Sequence, residues 1–332
     1  MREPHFWRDL DPRSRAAAPL TRFLLSPAAA LYAHMGARRI ARAEPLDCGI
    51  PVVCVGNLTL GGAGKTPVVS ALRARLSAGG LRAASLSRGY GGELKGPLRV
   101  SPDEHTAGMV GDEPLMLASG GESWIARDRA AGALAMKADG VEAIIMDDGH
   151  QNPALSKTVS IVVVDAAEPF GNRHVFPKGP LREPIAAGLS RAHGVVLMGD
   201  GAVPAEVAAS GLPVWRGRLA PDNALAGGAY VAFAGIGRPE RFFDSLRQLA
   251  GVELSETVPF ADHHVYSAGD LRYLRKLAEE RGARLVTTSK DHVRLGKAFG
   301  AGVDVARVSV AFDNPDAVDA ICEPILRAGR SG

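Results

Sequence analysis

Cysteine is scarce. Only Cys48, Cys54 and Cys322 occur in 332 residues, with no C-x-x-C pair and no metal-ligand spacing. That excludes a disulfide framework and a cysteine metal centre, and it suits a reducing compartment. Cys54 lies in the apolar run Val52–Val55 and reads as a small core residue. Charge of one sign is lacking as well. The chain has 39 basic and 36 acidic residues, a net +3. This balance gives no argument for nucleic acid, so no nucleic-acid partner is expected and any basic patch is local. Long apolar runs are absent too. The uncharged N-terminal stretch Phe23–Ala37 is interrupted by Ser26, Pro27 and His34. A spanning helix needs about 20 mostly apolar residues, so none is expected. Arg2, Glu3, Arg8, Asp9 and Asp11 precede any apolar stretch and no clear cleavage site follows, so no secretory leader is expected either. Internal repeats and low-complexity tracts are missing.

What is present is ample core material. Apolar residues make up 46% of the chain, which argues against wholesale disorder. The length suggests about two domains. Residues 15–43 stand apart. Ser26-Pro27 reads as a helix start, with Ser capping free N–H groups and Pro in the first turn. Leu31, Tyr32 and Met35 then share a face, preceded by Leu20, Phe23 and Leu24, and Arg38, Arg39 and Arg42 crowd the far end. Such a segment can lie in a membrane interface. It can equally pack on the core, with its arginines complementing the helix C-terminus.

From residue 50 apolar strands alternate with Ala-rich helices. The strands read as Pro51–Val55, Ala83–Ser87, Ala143–Met146, Val159–Asp165 and Gly194–Met198, with helical patterns at 66–79, 111–119 and 126–139. Continuous apolar strands alternating with helices mean a parallel sheet covered on both faces. A second set follows: strand Tyr230–Ala234, helices 238–250 and 268–281, and strand Arg284–Thr288. Pro204, Pro213 and Pro221 punctuate the interval, so the boundary is placed near 220.

Residues 52–66 read strand, glycine-rich loop, helix. The loop is Thr59-Leu60-Gly61-Gly62-Ala63-Gly64-Lys65-Thr66. Its glycines let successive N–H groups turn toward phosphate oxygens, and the helix adds its N-terminal amides. Lys65 can reach the β- and γ-phosphates, and the Thr66 hydroxyl can ligate Mg²⁺. The usual pattern opens on Gly, and Thr59 stands there instead. The competing interpretation is a glycine-rich turn with a chance Lys-Thr.

Other candidates gain meaning beside that loop. Ala143–Met146 runs into Asp147-Asp148-Gly149, two carboxylates at a strand end, which suit Mg²⁺ beside bound phosphates. Alone, this is a common turn. Arg88, in Ser87-Arg88-Gly89-Tyr90-Gly91-Gly92, can pair bidentately with phosphate or simply sit exposed in a flexible turn. Asp112 can cap a helix or accept a hydroxyl proton near the γ-phosphate. Asp262-His263-His264 suggests metal at first sight. Adjacent side chains on extended chain point apart, so an Asp–His pair assisting proton transfer is the better reading.

Together these motifs resemble the tetraacyldisaccharide 4'-kinases, the lipid A kinases of Gram-negative bacteria. The resemblance runs from about residue 4 to 325. It takes in Gly56-Asn57-Leu58-Thr59 with Gly61–Pro67, Ser87–Gly91, Gly111–Pro114 and Asp147–Gly149. Gly179-Pro180-Leu181-Arg182-Glu183-Pro184, Gly235–Pro239, Asp262–His264 and Thr287-Thr288-Ser289-Lys290-Asp291 continue it in the family's order. It departs at His150 and Asn152, where the family commonly has an aromatic residue and a histidine, and at Lys178, often a small residue.

The resemblance implies a P-loop NTPase-like α/β fold, with a parallel sheet covered by helices on both faces, a smaller C-terminal α/β domain and an N-terminal interfacial helix. The corresponding segments are 1–43, 44–220 and 221–332. It implies transfer of the ATP γ-phosphate to the 4'-hydroxyl of a tetraacyldisaccharide 1-phosphate. Residues 59–66 would bind ATP. Thr66, Asp147 and Asp148 would organise Mg²⁺, and Asp112 would act as base with His263 as partner, with Asp262 and Arg88 beside the chemistry. A monomer attached to the cytoplasmic face of the inner membrane, peripheral or monotopic, is expected. Two rival readings share the phosphate loop. A GTPase switch would need Asn-Lys-x-Asp or Thr-Lys-x-Asp, and Ser289-Lys290-Asp291 lacks the intervening residue. A non-catalytic nucleotide-binding scaffold would leave the spare carboxylates and Asp262-His263 without a purpose.

Overall fold

The computed structural model describes residues 4–9, 11 and 14–329. Arg2 and Glu3 lie outside these residues, as do the outermost positions of the expected 1–43 and 221–332 segments. By Cα packing the chain divides into two compact units. One comprises Met1–Arg88, Ala126–Leu219 and Val310–Gly332, the other Gly89–Ile125 and Ala220–Ser309.

In the first unit the strands Val214–Pro221, Gly194–Met198, Val159–Asp165, Val52–Gly56, Ala143–Asp147 and Ala83–Ser87 lie side by side in that order, all parallel. Except in Val214–Pro221, where Gly217 is the buried residue, these strands are buried along almost their whole length, as strands covered on both faces require. Val162 and Val164 join Leu58, Leu189, Leu197 and Val207 in one core cluster. Ile161 and Val163, pointing the other way by strand alternation, are equally buried. The register pairs Val55 with Asp147. The strand that feeds the phosphate loop and the strand that ends in the acidic pair are therefore neighbours, finishing level.

The first unit is discontinuous in sequence. Its last helix, Ala317–Gly329, packs on Lys65–Ala78, with buried Cys322 donating to the Leu72 carbonyl at 3.9 Å and Asp319 paired with Arg75. A division into contiguous pieces at 220 does not register this return, nor the excursion of Gly89–Ile125 into the other unit.

The second unit holds a parallel sheet ordered Val252–Pro259, Gly228–Ala234, Arg284–Thr288, Val303–Ala306. Alternate residues of the strand Gly228–Ala234 supply two cores. Val231 and Phe233 pack with Leu271 and Leu274 of helix Ala268–Glu280. Tyr230, Ala232 and Ala234 pack with Phe242, Phe243 and Leu246 of helix Pro239–Arg247. A short antiparallel pair, Leu98–Arg99 with Ser123–Ile125, frames the helices Ala107–Val110 and Asp112–Ala118. Val293 of helix Ser289–Gly300 packs on their core.

The N-terminal region forms helices Pro19–Leu24 and Ser26–Ala41. Ser26 is not a cap: its hydroxyl donates back to the Arg22 carbonyl at 2.9 Å, and Pro27 alone marks the start. Among the described residues no helix is long and apolar enough to cross a membrane. Of the apolar face, Tyr32 packs edge-on against Phe176, and most of the rest faces outward. Leu20, Phe23, Leu24, Leu31 and Met35 are all more than half exposed, and only Ala29 of the longer helix is buried.

Candidate active site

The phosphate loop is shaped by its glycines and braced from outside. Gly61 and Gly64 adopt φ of 113° and 80°, which residues with a Cβ avoid. Gly64 is the residue before helix Lys65–Ala78, so the first-turn amides of Lys65 and Thr66 lie where anions bind helices. Thr59, where glycine was expected, pairs with Leu181 in an antiparallel bridge. Leu60 N donates to Pro180 O, and Arg182 N donates to Leu58 O. The loop therefore enters as strand-like chain, and no glycine is needed at its first position.

Lys65 sits in a ring of polar partners. Its Nζ donates to Asn57 Oδ1 at 3.1 Å and lies 3.5 Å from Asp148 Oδ1. Asn57, wholly buried, donates to the carbonyls of Thr59 and Gly61. Asp148 takes φ of 52°, a conformation Asp tolerates, and its N–H donates to Val55 O. Burial raises its pKa, but Lys65 and Arg182 outweigh that and hold its carboxyl below the usual range. Gln151 donates to Asn57 O and to Glu183, and Arg191 Nη2 donates to both carboxylate oxygens of Glu183.

Asp147 is almost fully buried at the strand end. Asp147, Asp148 and exposed Arg88 all act electrostatically on buried Arg129, whose pKa burial and Arg88 lower to about 10. Thr66, Asp147 and Asp148 thus present hydroxyl and carboxylate oxygens at one end of the sheet. This hard-donor set fits Mg²⁺, which completes its shell with phosphate oxygens and water. Among the described residues no cluster of three or more His, Cys, Asp or Glu side chains could hold a metal by itself.

The second unit carries the other expected pair. Asp112 opens helix Asp112–Ala118 as its first residue, after Gly111, and its Oδ1 accepts from Glu113 N at 3.1 Å. Its Oδ2 lies 3.2 Å from His263 Nδ1 and receives the Arg294 guanidinium through Nε and Nη2. Lys290 lies 3.9 Å away and pairs more closely with Glu113, at 3.1 Å. Burial pushes the Asp112 pKa up, yet His263, Lys290 and Arg294 together hold the carboxyl below the ordinary range. His263 has φ of 58° and a half-exposed ring, 3.9 Å from Asp262 and edge-on to exposed Tyr90.

His264 turns elsewhere. It stacks on Phe260 and contacts Asp270 at 3.2 Å, so the two histidines do not share a ligand.

The Tetraacyldisaccharide-1-P 4'-kinase family model matches residues 21–326. The chain belongs to that family. Among the family's members, the tetraacyldisaccharide 4'-kinase of Hyphomonas neptunium is 57% identical, with 99% of this chain and 100% of that protein covered. That of Maricaulis maris is 50% identical, with 99% and 97% covered. A solved structure, the "apo" form of LpxK from Aquifex aeolicus in complex with ATP, superposes with a TM-score of 0.75. It is 25% identical, with 92% of this chain and 99% of that chain covered. The α/β fold is thus the family's own.

Several residues of these kinase-family clusters carry no signal as functional groups in a single sequence. Asn57, Gln151, Arg182 and Glu183 lie in recognisable motifs, but only their mutual hydrogen bonds show that they brace Lys65 and Asp148. Arg294 lies outside every motif, and only the packed helix reveals its contact with Asp112.

Proposed function

We propose that this chain transfers the γ-phosphate of ATP to the 4'-hydroxyl of a tetraacyldisaccharide 1-phosphate, giving the 1,4'-bisphosphate. The observation that carries this is the Asp112–His263 contact, in a kinase-family chain that also holds a phosphate loop. A nucleotide-binding scaffold has no use for a buried carboxylate aimed at a half-exposed imidazole. A guanine-reading switch is disfavoured by Asp291, which is wholly buried and bonded to Gly235 N, Tyr266 and Thr288.

Phosphoryl transfer asks mainly for positioning and charge stabilisation. On binding, Lys65 exchanges Asp148 for the β- and γ-phosphates, and the loop amides cradle them. Thr66, Asp147 and Asp148 would hold Mg²⁺, which would supply neutralisation of the phosphate charge. Arg88 offers a further cation. The acceptor oxygen attacks the γ-phosphorus, and the bond from that phosphorus to the β–γ bridging oxygen breaks, releasing ADP. The hydroxyl proton passes to the Asp112–His263 pair, a contribution of about 10²–10⁴-fold for a positioned base. Asp262 steadies the far ring nitrogen.

The acceptor's acyl chains require the enzyme to meet the bilayer. The exposed apolar side chains of residues 19–41 support peripheral attachment to a membrane surface, taken here to be the cytoplasmic face of the inner membrane, met by a single copy of the chain. The direct test is incubation with ATP, Mg²⁺ and the disaccharide monophosphate. A bisphosphate product is expected, and ATP consumption that ignores the acceptor would refute the assignment.

A further inference from the structure

Asp112 and His263 do not hold each other alone. Helix Ser289–Gly300 brings Arg294 to the same carboxylate oxygen that faces His263. Arg294 is itself fixed: its Nη1 donates to Gly235 O at 2.6 Å and to Asp291 Oδ1 at 2.8 Å. Asp291 is anchored by Tyr266 Oη at 2.9 Å, Gly235 N at 3.0 Å and Thr288 Oγ1 at 2.7 Å. The same Gly235 carbonyl accepts His263 N at 3.1 Å. One backbone carbonyl therefore ties the guanidinium to the loop that carries the imidazole.

We propose that Arg294 is the positioning residue of the Asp112–His263 pair, fixing the Asp112 carboxylate as an anion against the imidazole. This rests on the kinase reading above. The geometry argues for it through acceptor capacity. Asp112 Oδ2 already receives two guanidinium donors and the imidazole, and Oδ1 receives Glu113 N. An oxygen so occupied is a poor site for a further proton. His263 Nε2 lies 3.9 Å from Asp262 Oδ2. The charged groups around the pair are Lys290, Glu113, Asp262, Asp291 and Arg294, with the Tyr90 ring edge beside His263.

The test uses Arg294→Gln, which removes the charge, and Arg294→Lys, which keeps it without the fork. Turnover and KM for ATP are measured across pH. Arg294→Gln is expected to cut kcat by about 10- to 100-fold, as losing a charged hydrogen bond would. Its KM for ATP should hold within about twofold, because the lost donor touches no group of the phosphate loop. The acid limb of the pH profile should rise by about one unit, because Asp112 loses an opposite charge. Arg294→Lys should leave the acid limb in place and recover part of kcat. A loss of kcat with an unmoved acid limb in Arg294→Gln would mean a merely structural role. If that variant does not fold, Arg294→Met is read by the same two measures: lowered kcat with a raised acid limb supports the proposal, and an unmoved acid limb overturns it. Bisphosphate formation by the wild type separates failure of this inference from failure of the kinase reading.

Discussion

Arg182 Nη1 lies 3.0 Å from both carboxylate oxygens of Asp148, while its Nε donates to Thr59 O at 3.1 Å. One guanidinium thereby joins the acidic turn at one strand's end to the phosphate loop at its neighbour's end. Lys65 completes the arrangement from inside the loop, pairing with the same carboxylate. Arg182 holds the loop's entry and Asp148 in register, and Lys65 is the cation that reaches phosphate.

These roles separate experimentally. Arg182→Ala should raise KM for ATP by about tenfold or more, the effect of losing a charge-assisted hydrogen bond. Lys65→Ala should lower turnover as well, because its charge acts on the transferring phosphoryl group. Initial rates against ATP concentration distinguish the two. An Arg182→Ala enzyme with wild-type KM would show that the loop keeps its shape unaided.

Asp112→Ala and His263→Ala should each reduce kcat by about 10²-fold or more while ATP affinity changes little, since proton acceptance acts on the acceptor. Nucleotide titration by fluorescence, run beside turnover, checks both halves. Near-normal turnover in either variant removes that residue from the proton path.

Much of this was legible in the sequence. The strands Ala83–Ser87, Val159–Asp165, Gly194–Met198 and Arg284–Thr288 are where their apolar runs begin and end. Their neighbours in the second unit hid for a physical reason. Val252–Pro259 is an edge strand of intermediate burial that alternates with Glu253, Ser255 and Thr257, so no continuous run announces it. Val303–Ala306, the opposite edge, carries Asp304, which accepts from Tyr230 Oη. In the candidate site, residue types with intrinsic chemistry at strand ends and helix starts could be read directly. Bracing residues such as Arg294 and Asn57 could not, because their meaning lies in partners far away in sequence.

His150, where the family commonly has an aromatic residue, makes a pH prediction. Its ring is buried, with Nδ1 3.0 Å from Ser160 Oγ and Nε2 2.9 Å from Gly188 O. Burial pushes its pKa down to about 4, from 6.5. In the unfolded chain the imidazole protonates near 6.5, whereas the folded one resists until near 4, so acid favours unfolding across that window. At pH 5 the folded state should have lost about 2 kcal/mol on this account relative to neutral pH. His150→Phe removes the titration. Urea midpoints at pH 7 and pH 5 should therefore fall less for the variant than for wild type. Equal falls would show that His150 does not contribute.

The exposed N-terminal face makes a membrane-binding prediction. Phe23 and Met35 are 73% and 62% exposed, so replacing them with Asp removes little packing within the chain. Each apolar side chain buried in a bilayer interface contributes about 1.5–3 kcal/mol, so Phe23→Asp with Met35→Asp should weaken vesicle binding by at least about 100-fold. Arg38 and Arg42, at the end of the same helix, should add a salt-dependent attraction to anionic headgroups. Sedimentation with anionic phospholipid vesicles at low and high salt measures both effects. Turnover on detergent-dispersed acceptor should stay near wild type, because neither side chain touches the phosphate loop or the Asp112–His263 pair. Undiminished sedimentation by the double variant would place the attachment on some other surface.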